Sequence, residues 1–395
     1  MRRFLSIVLT VFILLLPVGS WGEEEISPKV SGYCLVLPGR GEALLEKKGT
    51  EPMAVAGLRK LPAVLTLCRA FDSGLIQETA GMQVSPRAAA IPGPTAFLES
   101  GERIEAGELL KAAVMISAGD AIVTLGENAF GSESVFLNNI QVTLRELGVD
   151  RTLSDCLGTD TLFSPLDLCA LGAAAVKSEH FCRWAGQYRE HIVHAGGRET
   201  ELVNANRMIR SYSGCFGLMT GSQKEEGYAG VFAVKRQEVT YVAAVIGAKS
   251  SEDRFAAAGA LFDLAFASFS PMRLAGPGEV VAENWPVLSG DRDRVDLVSH
   301  EDAALLLSKQ AGQVERQMAV PDALSAPLSR RYRWGRRSTP WPGRRCCGSA
   351  CTRRRRFPSR PGRSCCGASD RIIFGTPDEP PGACQKGAGW AILSP

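Results

Sequence analysis

The sequence predicts a mixed α/β fold of the α+β kind with a small β domain after it, on three observations. β-rich runs stand near the start of the body and again late in it. A stretch of helical patterns lies between them. Beyond residue 272, short strands separated by turn residues take over.

The chain opens on Arg2 and Arg3, then an apolar run over 4–18, then Ser20-Trp21-Gly22 before Glu23. That is the layout of a signal peptide over 1–22, and the apolar run is shorter than the roughly 20 residues that span a bilayer. The mature chain is expected outside the cytoplasm, in the periplasm or on the extracytoplasmic face of the membrane. An uncleaved anchor is the alternative.

The run 31–37 (SGYCLVL) reads as a strand, Pro38-Gly39-Arg40-Gly41 as a turn, and 43–46 as the returning strand. Pro62 suits the first turn of a helix that continues over 63–71. Residues 106–126 are apolar nearly all round, as in a buried helix. The stretch 132–147 is amphipathic, with Val135, Phe136, Ile140, Leu144 and Leu147 at helical spacing and Gly148 as a stop. The runs 228–235 and 239–248 flank Arg236-Gln237-Glu238 as a hairpin. A helix over 251–269 follows. Pro277-Gly278 and Ser289-Gly290 then punctuate short strands such as 294–298.

Charge and cysteine divide the chain. Residues 329–395 carry fourteen Arg and one Lys against two Asp and one Glu, a net of +12, which leaves −9 for the rest of a chain whose total is +3. Cys34, Cys68, Cys156, Cys169, Cys182 and Cys215 lie in the body, and Cys346, Cys347, Cys351, Cys365, Cys366 and Cys384 in the tail. The body cysteines fit no zinc spacing, and most are expected as small buried hydrophobes. The tail lacks either period, so it is expected disordered. Its Arg, Pro, Gly, Cys and Ser mix matches a GC-rich gene read out of frame. A nucleic-acid or anionic-lipid arm is the competing reading, and no nucleic-acid partner is expected. The layout expected is 1–22 leader, 23–271 main domain, 272–328 partial β domain and 329–395 tail.

Several segments stand in a familiar order. These are Glu46-Lys47-Lys48-Gly49-Thr50-Glu51-Pro52, then Pro62-Ala63-Val64-Leu65-Thr66-Leu67, then residues 88–108 with a GERI turn, then Ser117-Ala118-Gly119-Asp120-Ala121. Asn204-Ala205-Asn206-Arg207 and Met219-Thr220-Gly221 with Gly227-Tyr228 complete the series. From about residue 26 to 328 the chain resembles the serine D-alanyl-D-alanine carboxypeptidases, the low-molecular-weight penicillin-binding proteins. The resemblance implies a β-lactamase/transpeptidase-like domain, a five-stranded antiparallel sheet flanked by helices, with a small C-terminal β domain. It implies no cofactor and no metal. Many members end in an amphipathic membrane-binding helix, and none is visible here.

The resemblance also places the chemistry. Hydrolysis of this kind needs an activated nucleophile, a base and donors for oxyanion and carboxylate. The family's nucleophilic Ser falls at Val64 and its Lys, three residues on along one helix face, at Leu67. The second motif keeps Ser117 but has Gly119 where the family has Asn. The third has Met219 in place of a Lys, followed by Thr220 and Gly221. Valine has no lone pair to attack with, and leucine accepts no proton. Loss of a nucleophile alone costs about a millionfold in turnover, so neither carboxypeptidase activity nor covalent capture of β-lactams is expected.

Few of the remaining polar residues could substitute. Ser117 is the best placed, against a local hydrogen-bonding role. Thr66 and Cys68 flank the lost Lys, and Cys68 points off the face of Val64 and Leu67. Lys111 precedes Ser117 by six residues, too far to activate it along the helix. Glu190, His191 and His194 fall within one helical turn as a conceivable weak metal site, with solvated or core roles as the bland reading. His180 and His300 are the other histidines. Asp72, Asp120 and Asp253 read as capping or packing acids.

Two functional classes follow. One is a scaffold that binds a peptidoglycan stem peptide or a wall-synthesis protein, with a peptide pairing to the Thr220-Gly221 strand by β-addition over an apolar floor of Val64, Leu67 and Met219. The other is an active carboxypeptidase with a substitute nucleophile. A non-functional gene relic is a third reading.

Overall fold

The computed structural model describes residues 29–39, 42–276, 278–289, 293–299, 303–309, 323–325, 371–374 and 389–391. The leader, His300 and most of the Arg- and Cys-rich tail lie outside them. The chain divides into two units, one of residues to Val36 with Ala43–Lys235 and Thr240–Asp263, the other of Leu37–Glu42, Arg236–Val239 and everything from Leu264.

In the first unit, strands β1 (Gly32–Val36) and β2 (Ala43–Lys47) precede a 3-10 turn (Ala56–Lys60) and helix α1 (Leu61–Asp72). Then come β3 (Gly81–Gln83), α2 (Pro86–Ala89), β4 (Arg103–Glu105), α3 (Ala106–Ile116), α4 (Gly119–Phe130) and α5 (Glu133–Glu146). Helices α6 (Pro165–Ala175) and α7 (Glu179–Ala185), strands β5 (Arg189–Val193) and β6 (Glu199–Val203), and helix α8 (Met208–Ser211) lead to β7 (Cys215–Gln223), β8 (Gly227–Arg236), β9 (Val239–Ala248) and α9 (Ser251–Ser268).

The main sheet has the order β2-β1-β9-β8-β7, which puts β7 on an edge. Its strands pair antiparallel, Tyr33 against Lys47, Tyr33 against Val245 and Thr220 against Gly230 among them. This is the five-stranded antiparallel sheet flanked by helices that was expected. Both faces are covered. Cys34, Val36, Val231, Ala233, Val242, Ala244 and Ile246 join α1, α3, α4 and α6 in one hydrophobic core, as the period-2 alternation of strands requires. Their neighbours Leu35, Phe232, Tyr241 and Val245 are buried too, and Phe255 of α9 meets Phe232 edge-on at 5.9 Å.

Local chemistry fixes the helix ends. Ser132 and Ser164 cap α5 and α6 by accepting from the third residue in, and Asp167 closes a capping box back to Ser164. The Gln237-Glu238 pair that turns β8 into β9 sits at φ 48° and 63°, the left-handed pair that a tight hairpin demands.

Two expectations fail. The predicted single helix over 106–126 is two helices, broken where Ser117 adopts φ 56°, ψ 39° as the left-handed cap of α3. Its flanks are apolar on both sides, so periodicity carried no trace of the break. Residues 190–194 are not a helical turn. Residues 189–193 form β5, paired with β6.

The second unit holds β10 (Phe269–Ala275), β11 (Val280–Leu288), β12 (Arg294–Ser299), β13 (Ala303–Ser308) and the short β14 (Leu324–Ser325), β15 (Arg371–Phe374) and β16 (Gly389–Ala391). β11 and β12 pair antiparallel, and Val287, Leu297 and Leu324 form a small core with Trp285 and Val295 packed on it.

Candidate active site

Three chain segments converge at the N-terminus of α1. The first is the 3-10 turn before it. Gly57 of that turn touches Gly221 of β7 so closely that a Cβ on Gly221 would lie 2.6 Å from the Gly57 nitrogen and 2.8 Å from that of Leu58. Only glycine lets strand and turn meet backbone to backbone. Glu226, in the turn after β7, accepts from the Ala56 nitrogen at 2.7 Å and from the Arg59 guanidinium at 2.6 Å. This clamp fixes β7 against the start of α1.

The second contact joins the same turn to the α3–α4 break. Lys60, next to the first residue of α1, donates from Nζ to the Ser117 carbonyl oxygen at 3.0 Å. Burial pulls the Lys60 amine below its usual value, against the pull of nearby Asp120, which raises it. A Cβ on Gly119 would lie 3.3 Å from this nitrogen and 2.6 Å from Cγ2 of Ile91. Lys60 and Ile91 therefore occupy the space that an Asn side chain at 119 would need.

Asp120 organises the rim. Its carboxylate, almost wholly buried, accepts from the backbone nitrogens of Ala96, Leu98 and Ala121 at 2.8–3.2 Å. The Gly119 nitrogen donates to the Pro94 carbonyl at 2.9 Å. The loop over 91–98 is thus tied to the second motif, as a packing acid should do.

The structure brings the sequence-selected residues into one region, but not into an open one. Val64 and Leu67 are 0% exposed and Met219 2%. All three belong to the main hydrophobic core. The expected apolar floor is corrected accordingly: these three side chains, with no polar atom, are packed into the core and do not line a cleft. Ser117 and Gly221 are buried, and Thr220 is half-buried. No titratable group stands at 64, 67, 119 or 219.

The other candidates are occupied elsewhere. Thr66 donates to the Pro62 carbonyl at 2.8 Å and bonds Thr143 at 3.0 Å. Burial pushes the Cys68 thiol well up, with Asp72 adding to it, so no thiolate forms there. Lys111 grips Glu108 at 2.9 Å and the His191 carbonyl at 2.8 Å, over the Trp184 ring. His191 is half-exposed near Glu201, whereas His194 is buried between Glu102 and Thr200, each at 2.8 Å. Strand geometry separates the two, so they do not converge on a metal. His180 bonds Asp72 at 2.6 Å, and Asp253 pairs with Lys29 at 3.0 Å. Asn204 donates to the Ala185 and Gln187 carbonyls at 3.1 Å and accepts from the Asn206 nitrogen, shaping the turn between β6 and α8.

Two residues escaped the sequence reading. One is Lys60. The other is Arg254 of α9, buried, whose Nη1 donates to the carbonyls of Gly221 and Ala229 at 3.1 Å each while its Nε has no partner. Burial draws its guanidinium down to about 10, and the Phe255 ring lies 4.5 Å away. A cation thus stands behind Thr220-Gly221 although Met219 brings none. The signals were weak, a Lys one helical turn before Val64 and an Arg near a helix start.

Comparison with known proteins matches the chain to a family. The model described as D-alanyl-D-alanine carboxypeptidase covers residues 27–250. The chain is 26% identical over 343 residues to the D-alanyl-D-alanine carboxypeptidase DacF of Bacillus subtilis, across 84% of this chain and 88% of that one. It is 23% identical to DacC of Escherichia coli, across 80% and 82%. Among solved structures, penicillin binding protein 5 from Haemophilus influenzae superposes with a TM-score of 0.66 at 19% identity, covering 76% of this chain and 89% of the other.

Proposed function

The chain belongs to the D-alanyl-D-alanine carboxypeptidase family, and we propose that it is a catalytically inactive homologue that binds a peptidoglycan stem peptide or a wall-synthesis partner along β7. Members of this family act on peptidoglycan outside the cytoplasm. The observation that carries the proposal is the burial of Val64, Leu67 and Met219 in the core. A peptidase of this kind needs a nucleophile, a base and a cation at those places, and three apolar side chains supply none of them. Catalysis is lost while the scaffold is kept.

The edge position of β7 supports the binding half. An edge strand presents unpaired N–H and C=O groups to an extended peptide. Thr220 is half-buried, and Ser222 and Gln223 are exposed along it. Arg254 sets a positive charge behind the strand, which suits the carboxylate end of a peptide.

A second reading has its own support. The Lys60 amine beside Ser117 supplies the lysine neighbour that Lys111 does not, so Ser117 as a substitute nucleophile remains the competing function. Incubating the purified protein with a fluorescent penicillin separates the two. Inactivity predicts no covalent label, with titration of a D-Ala-D-Ala-terminated peptide still giving saturable binding. A label that vanishes in Ser117→Ala transfers the function to the second reading.

A further inference from the structure

Phe97 is the most exposed large apolar side chain among the described residues, at 68%. It is also the one aromatic among them with a positive φ, 58°. That backbone state costs free energy in a bulky residue, and an exposed ring forgoes the gain from burial. Its neighbours enforce both. The buried Asp120 carboxylate accepts from the nitrogens on either side, Ala96 at 2.9 Å and Leu98 at 3.2 Å. Ala96 and Leu98 are themselves buried, so the ring between them is thrown outward. The Phe97 carbonyl accepts from Arg198 at 2.9 Å, and Arg198 in turn lies 2.9 Å from Nδ1 of the buried His194. The chain just ahead carries Pro92 and Pro94, both exposed, whose rings fix φ and stiffen the loop.

This loop and β7 border the same place, the start of α1. Ile91 and Pro94 meet Gly119 beside Lys60. Gly221 of β7 meets Gly57 in the 3-10 turn that Lys60 ends. A peptide added to the edge of β7 is held by main-chain hydrogen bonds, which do not read its side chains; contacts to alternate side chains supply the selection. On the reading that β7 binds a peptide, we propose that Phe97 is a preformed docking point for an apolar side chain of that peptide and selects for it. The ring is already locked in its displayed position, so little freedom is lost on binding. An apolar side chain laid against it removes area of both from water. A peptide with no side chain at that place gains nothing from the ring. The strain at Phe97 is then kept for recognition, not for the fold.

The test is calorimetric titration of the full protein with acetyl-Leu-D-Ala-D-Ala and acetyl-Gly-D-Ala-D-Ala. The wild type should bind the leucyl peptide about tenfold more tightly, as expected for one apolar side chain partly removed from water. In Phe97→Ala and Phe97→Gly the two peptides should bind equally, at the wild-type affinity for the glycyl peptide. Glycine adopts a positive φ without strain, so Phe97→Gly should also raise the urea midpoint. A midpoint below that of the wild type would mean that the ring serves the fold and would overturn the proposal, as would a leucyl preference that survives in Phe97→Ala. Equal wild-type affinity for the two peptides overturns it too and leaves the reading of β7 standing. Binding of neither peptide by the wild type overturns both.

Discussion

The Lys60 ammonium donates to the Ser117 carbonyl oxygen at 3.0 Å, linking the start of α1 to the left-handed break between α3 and α4. Lys60 lies one helical turn before Val64, on the face where the lost nucleophile would stand. Its charge is buried, and Asp120 is the acid that offsets it.

Replacing Lys60 by Met is expected to destabilise the protein by about 1–3 kcal/mol, the cost of a buried acceptor left unsatisfied. The pH dependence gives the sharper check. The folded-state amine sits below its usual value of 10.5, so on approaching that pH the unfolded chain holds more protons and this amine's own contribution to stability grows. The gap between wild type and Lys60→Met should therefore widen as pH rises toward 10.5, read from urea midpoints. A gap that narrows means that Asp120 and Ser117 outweigh desolvation.

Restoring the chemistry should take more than the obvious substitutions. Val64→Ser with Leu67→Lys returns nucleophile and base and is expected to give measurable labelling by fluorescent penicillin. Adding Gly119→Asn should erase that gain, because its Cβ would meet Ile91 Cγ2 at 2.6 Å. Adding Ile91→Ala as well should recover it. Equal labelling of the triple and quadruple variants would remove Ile91 from the account.

The family's frame was legible because glycine, proline and acid positions carry it. Pro62 opens α1, Asp120 takes the rim amides, and Gly221 permits the contact with Gly57. Each is set by local backbone demands that sequence spacing records. Lys60 and Arg254 were not legible, because what matters is what they touch: Ser117 lies 57 residues from Lys60, and Gly221 lies 33 from Arg254. The floor was misjudged for a related reason. Val64, Leu67 and Met219 were set in an open cleft by analogy, yet apolar side chains lower the free energy by burial, and here they are core. Glu190 to His194 failed because strand pairing with 199–203, a tertiary event, overrode a spacing that also fits a helix.

Gly221→Ala tests the backbone contact that places β7. The added methyl would lie 2.6 Å from the Gly57 nitrogen, backbone that cannot step aside as a flexible side chain does. A loss of about 1–3 kcal/mol is expected, the usual range for overpacking, together with loss of peptide binding on β7. Chemical denaturation and titration with a D-Ala-D-Ala-terminated peptide measure the two. Unchanged stability would mean that strand and turn separate freely.

Alkaline pH should weaken the fold through its buried thiols. Burial, then Glu133, pushes Cys156 up to about 12, and burial raises Cys182 and Cys215 to about 11, all from 9.0. A folded pKa above the unfolded one means that past pH 9 the unfolded chain has released a proton that the folded chain still holds. Stability then falls with rising pH, by about 1.4 kcal/mol per unit for each such thiol at most, through the window from 9.0 to about 11. Cys215→Ala removes one thiol that donates weakly to the Gly217 carbonyl, at 3.8 Å, so it should cost little at neutral pH and flatten the alkaline decline. Urea midpoints of wild type and variant at about pH 8 and pH 10 decide it. Parallel declines in the two proteins would show that Cys215 ionises as readily folded as unfolded, and the loss would then belong to other groups.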